Sequence, residues 1–193
     1  VENLVETESL SSLNELDPNR DKIISGGTGV GISMAPVVYK NKVIIGITGV
    51  GYGLHIEEEG DSSRLGAVVG VAGRFGRPGF LAAYDIHSGR QIWQFDTIPE
   101  QGWEGKFTNY TADGEVLNRD TYLEKEALPQ YPNSAKYGGG SAWTTPAIDE
   151  ITNTLFFGTG NPSPQMSAET RPGDNLYTVS LVALDADTGK LKW

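Results

Sequence analysis

Apolar positions along this chain fall into short runs rather than a helical period, and each run stops at a polar or glycine-rich turn. Phe80-Leu81-Ala82-Ala83-Tyr84 arrives at Asp85-Ile86-His87-Ser88-Gly89, and Gln91-Ile92-Trp93 leaves it. Two extended runs flank a turn in which Asp and Ser bond backbone amides and Gly takes a positive φ, so the stretch reads as a β-hairpin. The same frame returns at Ala183-Leu184-Asp185-Ala186-Asp187-Thr188-Gly189-Lys190-Leu191-Lys192-Trp193, so residues 83–93 and 183–193 share A-x-D-x-x-[ST]-G-x-x-x-W. A second matching pair lies upstream. Residues 35–46 and 145–158 each give a strand, a polar turn, a β-branched or aromatic strand and a closing glycine, the later copy with two more residues at its turn.

Two hairpins per unit predict a four-stranded antiparallel sheet, which buries both faces only by stacking against neighbouring sheets. Radially arranged propeller blades meet that need, with Trp93 and Trp193 filling the space between blades. The expected organisation is an all-β, single partial propeller domain over 1–193. Residues 1–29 form a polar lead-in, 30–97 a blade with an inserted loop at 51–79, 98–140 an excursion with irregular strands, and 141–193 a second blade.

Composition narrows the function classes. Of 193 residues, 25 are Gly and 10 Pro, spread without a short period, which suits many turns rather than a disordered tract. A net charge of −10, with no Lys/Arg cluster, opposes binding to nucleic acid. Cysteine is absent, which excludes disulfides and thiolate metal sites within the chain. Gly26-Gly27-Thr28-Gly29-Val30-Gly31 has neither the following Gly-Lys-Ser/Thr nor the helix that a phosphate-binding loop needs, and reads as a glycine-rich strand entry. His55 and His87 lack zinc-ligand spacing, and His87 belongs to a hairpin turn. Asn109-Tyr110-Thr111 fits a glycosylation acceptor, a pattern frequent by chance.

Three further motifs are more specific: Gly138-Gly139-Gly140-Ser141-Ala142-Trp143, Phe157-Gly158-Thr159-Gly160-Asn161-Pro162 and Arg171-Pro172-Gly173-Asp174-Asn175. In order and spacing they resemble dehydrogenases that use pyrroloquinoline quinone (PQQ), of the methanol and ethanol dehydrogenase type, over residues 29–193. The resemblance implies a segment of an eight-bladed quinoprotein propeller. It also implies an activity in which an alcohol passes a hydride equivalent to the quinone and electrons go on to a c-type cytochrome, in the periplasm or otherwise outside the cytoplasm. PQQ is a flat quinone bearing carboxylates, so its site needs an aromatic floor, hydrogen-bond donors and a nearby cation. By resemblance Trp143 is the floor, Ser141, Ser33 and Thr48 contact the cofactor, and Asn161 is a calcium ligand.

The sequence departs from the family where a second calcium ligand, a Glu, is expected. Gly51 occupies that position in one alignment and Arg74 in the other, and neither offers a carboxylate. Arg74 is then a candidate to supply positive charge beside the cofactor, and calcium rests on Asn161 alone. The family's catalytic Asp falls beyond the segment matching Trp193, so no catalytic residue is assigned and the chain by itself is expected to be inactive. Open sheet faces predict pairing with complementary propeller blades or self-association. The alternative is a non-enzymatic propeller scaffold for protein assembly, or a degenerate quinoprotein binding module.

Overall fold

The structure, a computed structural model, describes residues 23–25, 32–47, 52–56, 65–69, 78–163 and 168–193. The first unit forms the expected four-stranded antiparallel sheet. Its strands are β2 (Val37–Tyr39), β3 (Lys42–Ile47), β6 (Phe80–Asp85) and β7 (Gln91–Asp96), hydrogen-bonded in that order. The second unit forms a three-stranded sheet of β8 (Ala147–Asp149), β9 (Thr154–Gly158) and β10 (Leu181–Asp185). A single bridge from Leu184 to Leu191 marks the place of a fourth strand. Each repeated turn works as its residues predict: Asp85 accepts from the amides of His87 and Ser88, and Asp185 from those of Asp187 and Thr188.

One core joins the two sheets. Ile44, Leu81, Ala83 and Trp93 from the first pack with Leu155, Phe157, Val182 and Leu184 from the second, all at most 6% exposed. Trp93 lies in the core common to the two sheets and donates its Nε1 hydrogen to the Ala186 carbonyl at 3.3 Å. Trp193 stands outside that core, because no sheet lies beyond it among the described residues; it is 61% exposed and rests on Phe156 of its own sheet, with ring centroids 5.8 Å apart.

Two stretches differ from the expected organisation. The inserted loop 51–79 carries a hairpin of β4 (Tyr52–Ile56) and β5 (Leu65–Val69), and β1 (Ile23–Ser25), inside the polar lead-in, adds to it as a third strand. Leu-Gly-Ala-Val-Val and Tyr-Gly-Leu-His-Ile are apolar enough to pair, but the Glu57-Glu58-Glu59 run between them dominates the sequence pattern. The excursion 98–140 holds the irregular pair as a Tyr110–Val116 bridge, and also a helix that hydrophobic period does not reveal, α1 (Thr121–Ala127). None of its residues is buried, so its start is fixed by Asp120, which accepts from the amides of Tyr122 and Leu123, and not by an apolar face.

An ionic contact reinforces the joint between blades. Lys40 and Lys42, at the β2–β3 turn, reach Asp187 in the turn after β10 at 2.8 and 2.9 Å. Hydrogen bonds from Lys40 and then Lys42, against a small opposing effect of burial, pull the Asp187 carboxyl down to about 2. A depressed folded value stabilises above the unfolded value of about 3.9 and loses that contribution as pH falls toward the folded one. Since the Asp187 side chain is 43% exposed, solvent screening limits the effect. Asp187→Asn should lower stability by about 0.5–1 kcal/mol at neutral pH. Urea melts of parent and variant should converge near pH 2; a constant difference down to that pH would contradict the ionic account.

Candidate functional site

The glycine-rich segment before Trp143 crosses from the excursion into the second blade, and its backbone explains its composition. Gly139 and Gly140 have φ of 77° and 66°, a left-handed conformation that other residues adopt at a cost. That conformation lets the segment pair with the Gly-Thr-Gly-Asn-Pro segment following β9. Gly140 donates its amide to the Asn161 carbonyl at 3.0 Å, Gly160 donates to the Ser141 carbonyl at 2.9 Å, and Gly139 bridges Pro162. A third segment closes the frame, since Val179 donates to the Gly160 carbonyl at 3.0 Å.

Within this frame the side chains divide by burial. Ser141 is 4% and Ala142 0% exposed, whereas Trp143 is 54% exposed and Asn161 is exposed. Gly160 lies beside the indole: a Cβ there would stand 3.4 Å from Trp143 Cδ1 and 3.2 Å from Ser141 Cβ. The structure therefore holds an indole partly open to solvent on a segment whose backbone is hydrogen-bonded to the one that carries Asn161. Ser141, Trp143 and Asn161 are brought to one place.

Ser33 belongs to a neighbouring segment and is exposed. Its neighbour Met34 places Sδ 2.8 Å from the Gly46 amide, and the Ala142 amide bonds the Ile47 carbonyl at 3.1 Å, so the 33–35, 46–47 and 142–145 segments lie side by side. Thr145 Oγ1 approaches the Ala35 carbonyl at 3.5 Å on the same seam. Thr48, Gly51 and Arg74 lie outside the described residues.

The third motif serves a different purpose. Arg171 and Asn175 lock its loop by reciprocal bonds of 2.7 and 3.0 Å, while Asp174 accepts from the amides of Lys106 and Thr108, from Thr108 Oγ1 and from Arg119. Arg119 also pairs with Glu124. Sequence reasoning missed this tie because Arg119 and Glu124 sit in a stretch without periodicity. It likewise singled out Asn161 and passed over Gly160, whose place against Ser141 leaves little room for a side chain; Gly-x-Gly before Asn-Pro was the available signal.

A half-exposed indole on a segment paired with the one that carries Asn161 is the part of a site that a flat, ring-shaped group would use. Comparison with known proteins agrees with that chemistry. A family described as "PQQ: Glucose/ethanol/alcohol dehydrogenase, beta-propeller domain" matches residues 15–193, and the chain belongs to this family. Quinohemoprotein alcohol dehydrogenase of Comamonas testosteroni is 32% identical over 167 residues, 84% of this chain and 19% of that protein. Methanol dehydrogenase [cytochrome c] subunit 1 of Methylorubrum extorquens is 32% identical over 167 residues, 86% of this chain and 22% of that protein. The crystal structure of the Comamonas testosteroni enzyme superposes with a TM-score of 0.52 at 31% identity, over 85% of this chain and 20% of that one. The chain thus spans about a fifth of the length of the curated relatives it matches.

The described residues fit a bound quinone in one respect: Trp143 offers a flat aromatic ring that is 54% exposed. They do not by themselves make a cation site. No group of three or more His, Cys, Asp or Glu side chains gathers among the described residues, which leaves Asn161 as a lone amide. Among the described residues no helix is long and apolar enough to cross a membrane.

Proposed function

We propose that this chain forms one wall of the PQQ site of an eight-bladed alcohol dehydrogenase. The half-exposed Trp143, on a segment that backbone hydrogen bonds join to the Gly160-Asn161 segment, carries the reading. When bound, PQQ supplies a quinone able to accept a hydride equivalent from an alcohol. Trp143 stacks on one face of the ring system and excludes water from it. Ser33 and Thr48 hold a carboxylate and Ser141 donates to the cofactor; Ser33 is exposed and Ser141 buried. Asn161 turns its amide oxygen toward a cation, with Arg74 as the alternative source of positive charge. The remaining ligands and the proton acceptor for the alcohol belong to other blades. A c-type cytochrome as electron acceptor and a location outside the cytoplasm complete the proposal, the former in keeping with the cytochrome c in the name of the methanol dehydrogenase relative.

Binding is the direct test. PQQ titrated into the full-length propeller, with and without calcium, should quench tryptophan fluorescence and shift the quinone absorbance. Trp143→Ala should weaken binding at least tenfold, a loss of about 1.4 kcal/mol, within the range expected for removing one stacked aromatic ring. Equal affinity of parent and variant would remove the aromatic floor from the proposal. No binding in either buffer would favour the scaffold reading. A calcium-dependent affinity that Asn161→Ala abolishes would support the amide as ligand, and elemental analysis showing stoichiometric calcium would remove Arg74 from its role.

A further inference from the structure

The segment that carries Trp143 is held on a second side by a residue outside every motif. Thr97, the residue after β7, is fully buried. Its amide and its hydroxyl both donate to the Gly79 carbonyl, at 2.9 and 2.7 Å, and Gly79 donates its own amide to the Gly139 carbonyl at 2.7 Å. The contact is close throughout: a Cβ on Gly140 would stand 2.8 Å from Thr97 Oγ1, and one on Gly79 would stand 2.4 Å from the Gly140 carbonyl oxygen. On its other side the Thr97 carbonyl accepts from the Tyr177 amide at 2.7 Å. Two residues on, Val179 donates to Gly160, the glycine paired with Ser141. These bonds close a ring through residues 79, 97, 139–141, 160–161 and 177–179. Each link is backbone to backbone, and at Thr97 a side chain doubles one of them.

We infer that Thr97 is a positioning residue for the site around Trp143: its hydroxyl sets the Gly139–Trp143 segment against the Gly160–Asn161 segment, and so places the indole. The inference rests on the quinone reading of Trp143. The indole is 54% exposed, so its place depends on the backbone that carries it more than on packing around the ring. That backbone enters through Gly139 and Gly140 and leans on Gly79, three residues with no side chain to pack and the widest conformational freedom. Hydrogen bonds must therefore supply the restraint. One donor leaves a carbonyl free to tilt over a broad range of directions, whereas two donors occupy both lone pairs of the Gly79 oxygen and fix its plane. A stacking wall must keep its place to within about 0.5 Å to act as one.

The test uses the full-length propeller carrying Thr97→Val, Thr97→Ala or Thr97→Ser. Val keeps the volume but puts a methyl group where the hydroxyl stands, 2.7 Å from the Gly79 carbonyl oxygen and inside van der Waals contact. Ala removes the donor with no new contact, and serves if Val does not fold. Ser keeps the donor and loses a methyl group. Without PQQ, hydrogen exchange at the Gly79, Gly140 and Ala142 amides should quicken about tenfold in Val and Ala, the scale of one lost hydrogen bond, while amides of β3 and β6 match the parent. With PQQ, Val and Ala should bind about tenfold more weakly than the parent and alter the absorbance of the bound quinone. Ser should restore exchange, affinity and spectrum. Faster exchange spread evenly over both sheets, Ser as impaired as Ala, or Ala binding PQQ as tightly as the parent would each overturn the inference. A parent that binds no PQQ would overturn the quinone reading itself, and the exchange pattern would still decide for or against Thr97 as the residue that sets the segment.

Discussion

Trp93→Ala should destabilise the chain by about 3–5 kcal/mol, the range for truncating a buried large aromatic residue, and lower the melting temperature by roughly 10 °C. The indole is 6% exposed and packs between the two sheets, so truncation leaves a cavity at the joint that holds them together. It also leaves the Ala186 carbonyl without its donor. Collapse around the gap is hindered on one side, because Gly189, against the indole, has no side chain to move into it. Trp93→Phe should fall between the two, keeping part of the area and losing the N–H. Trp193→Ala is the internal control: the same substitution in the same motif, at 61% exposure, should change the stability of the single chain by less than about 0.5 kcal/mol. Calorimetry or chemical denaturation of the three variants distinguishes burial from motif identity; equal losses at Trp93 and Trp193 would contradict the packing account.

That contrast also marks what the sequence makes legible. The motif A-x-D-x-x-[ST]-G-x-x-x-W specifies its turn locally, through Asp85 and Asp185 accepting from turn amides, so both hairpins follow from the residues alone. Whether the Trp is covered depends on a neighbouring sheet, which no local pattern encodes, and Trp93 and Trp193 therefore differ. The same division holds at the candidate site. Gly139 and Gly140 announce an unusual backbone, and the motif order pointed to Trp143, Ser141 and Asn161, which do converge. Their difference in exposure, a buried Ser141 beside a half-open Trp143, arises from packing against the Gly160 segment and was not readable. The strands at 52–56 and 65–69 were hidden by an acidic run between them, and α1 by its lack of any buried face. Elements held by polar contacts to distant residues leave no periodic trace, and the tie around Asp174 is the clearest case.

Asp174→Asn should release the excursion from the second blade, at a loss on the order of 3 kcal/mol, because a largely buried charge pair loses one partner. The side chains of Asp174 and Arg119 are 13% and 20% exposed, so water screens this pair less than it does the Asp187 contact. Burial alone would raise the Asp174 carboxyl, but hydrogen bonds from Arg119, from the Thr108 amide and hydroxyl and from the Lys106 amide outweigh it and hold the group below the usual carboxylate range. Glu124 is held low as well, first by the hydrogen bond from Arg119 and also by the Gly173 amide, against burial. Both folded values are depressed, so the stabilisation is complete above the unfolded values of about 4 and drains away as pH falls through the folded ones. Hydrogen exchange at the Lys106 and Thr108 amides reads this directly, since both donate to Asp174. In the parent their protection factors should be high at neutral pH and fall in acid. In Asp174→Asn they should already be low at neutral pH and respond little to acid, while amides within β3 and β6 keep their protection. Loss of protection across both sheets together would mean that the excursion and the blades unfold as one unit, and that the Arg119–Asp174 tie does not act locally.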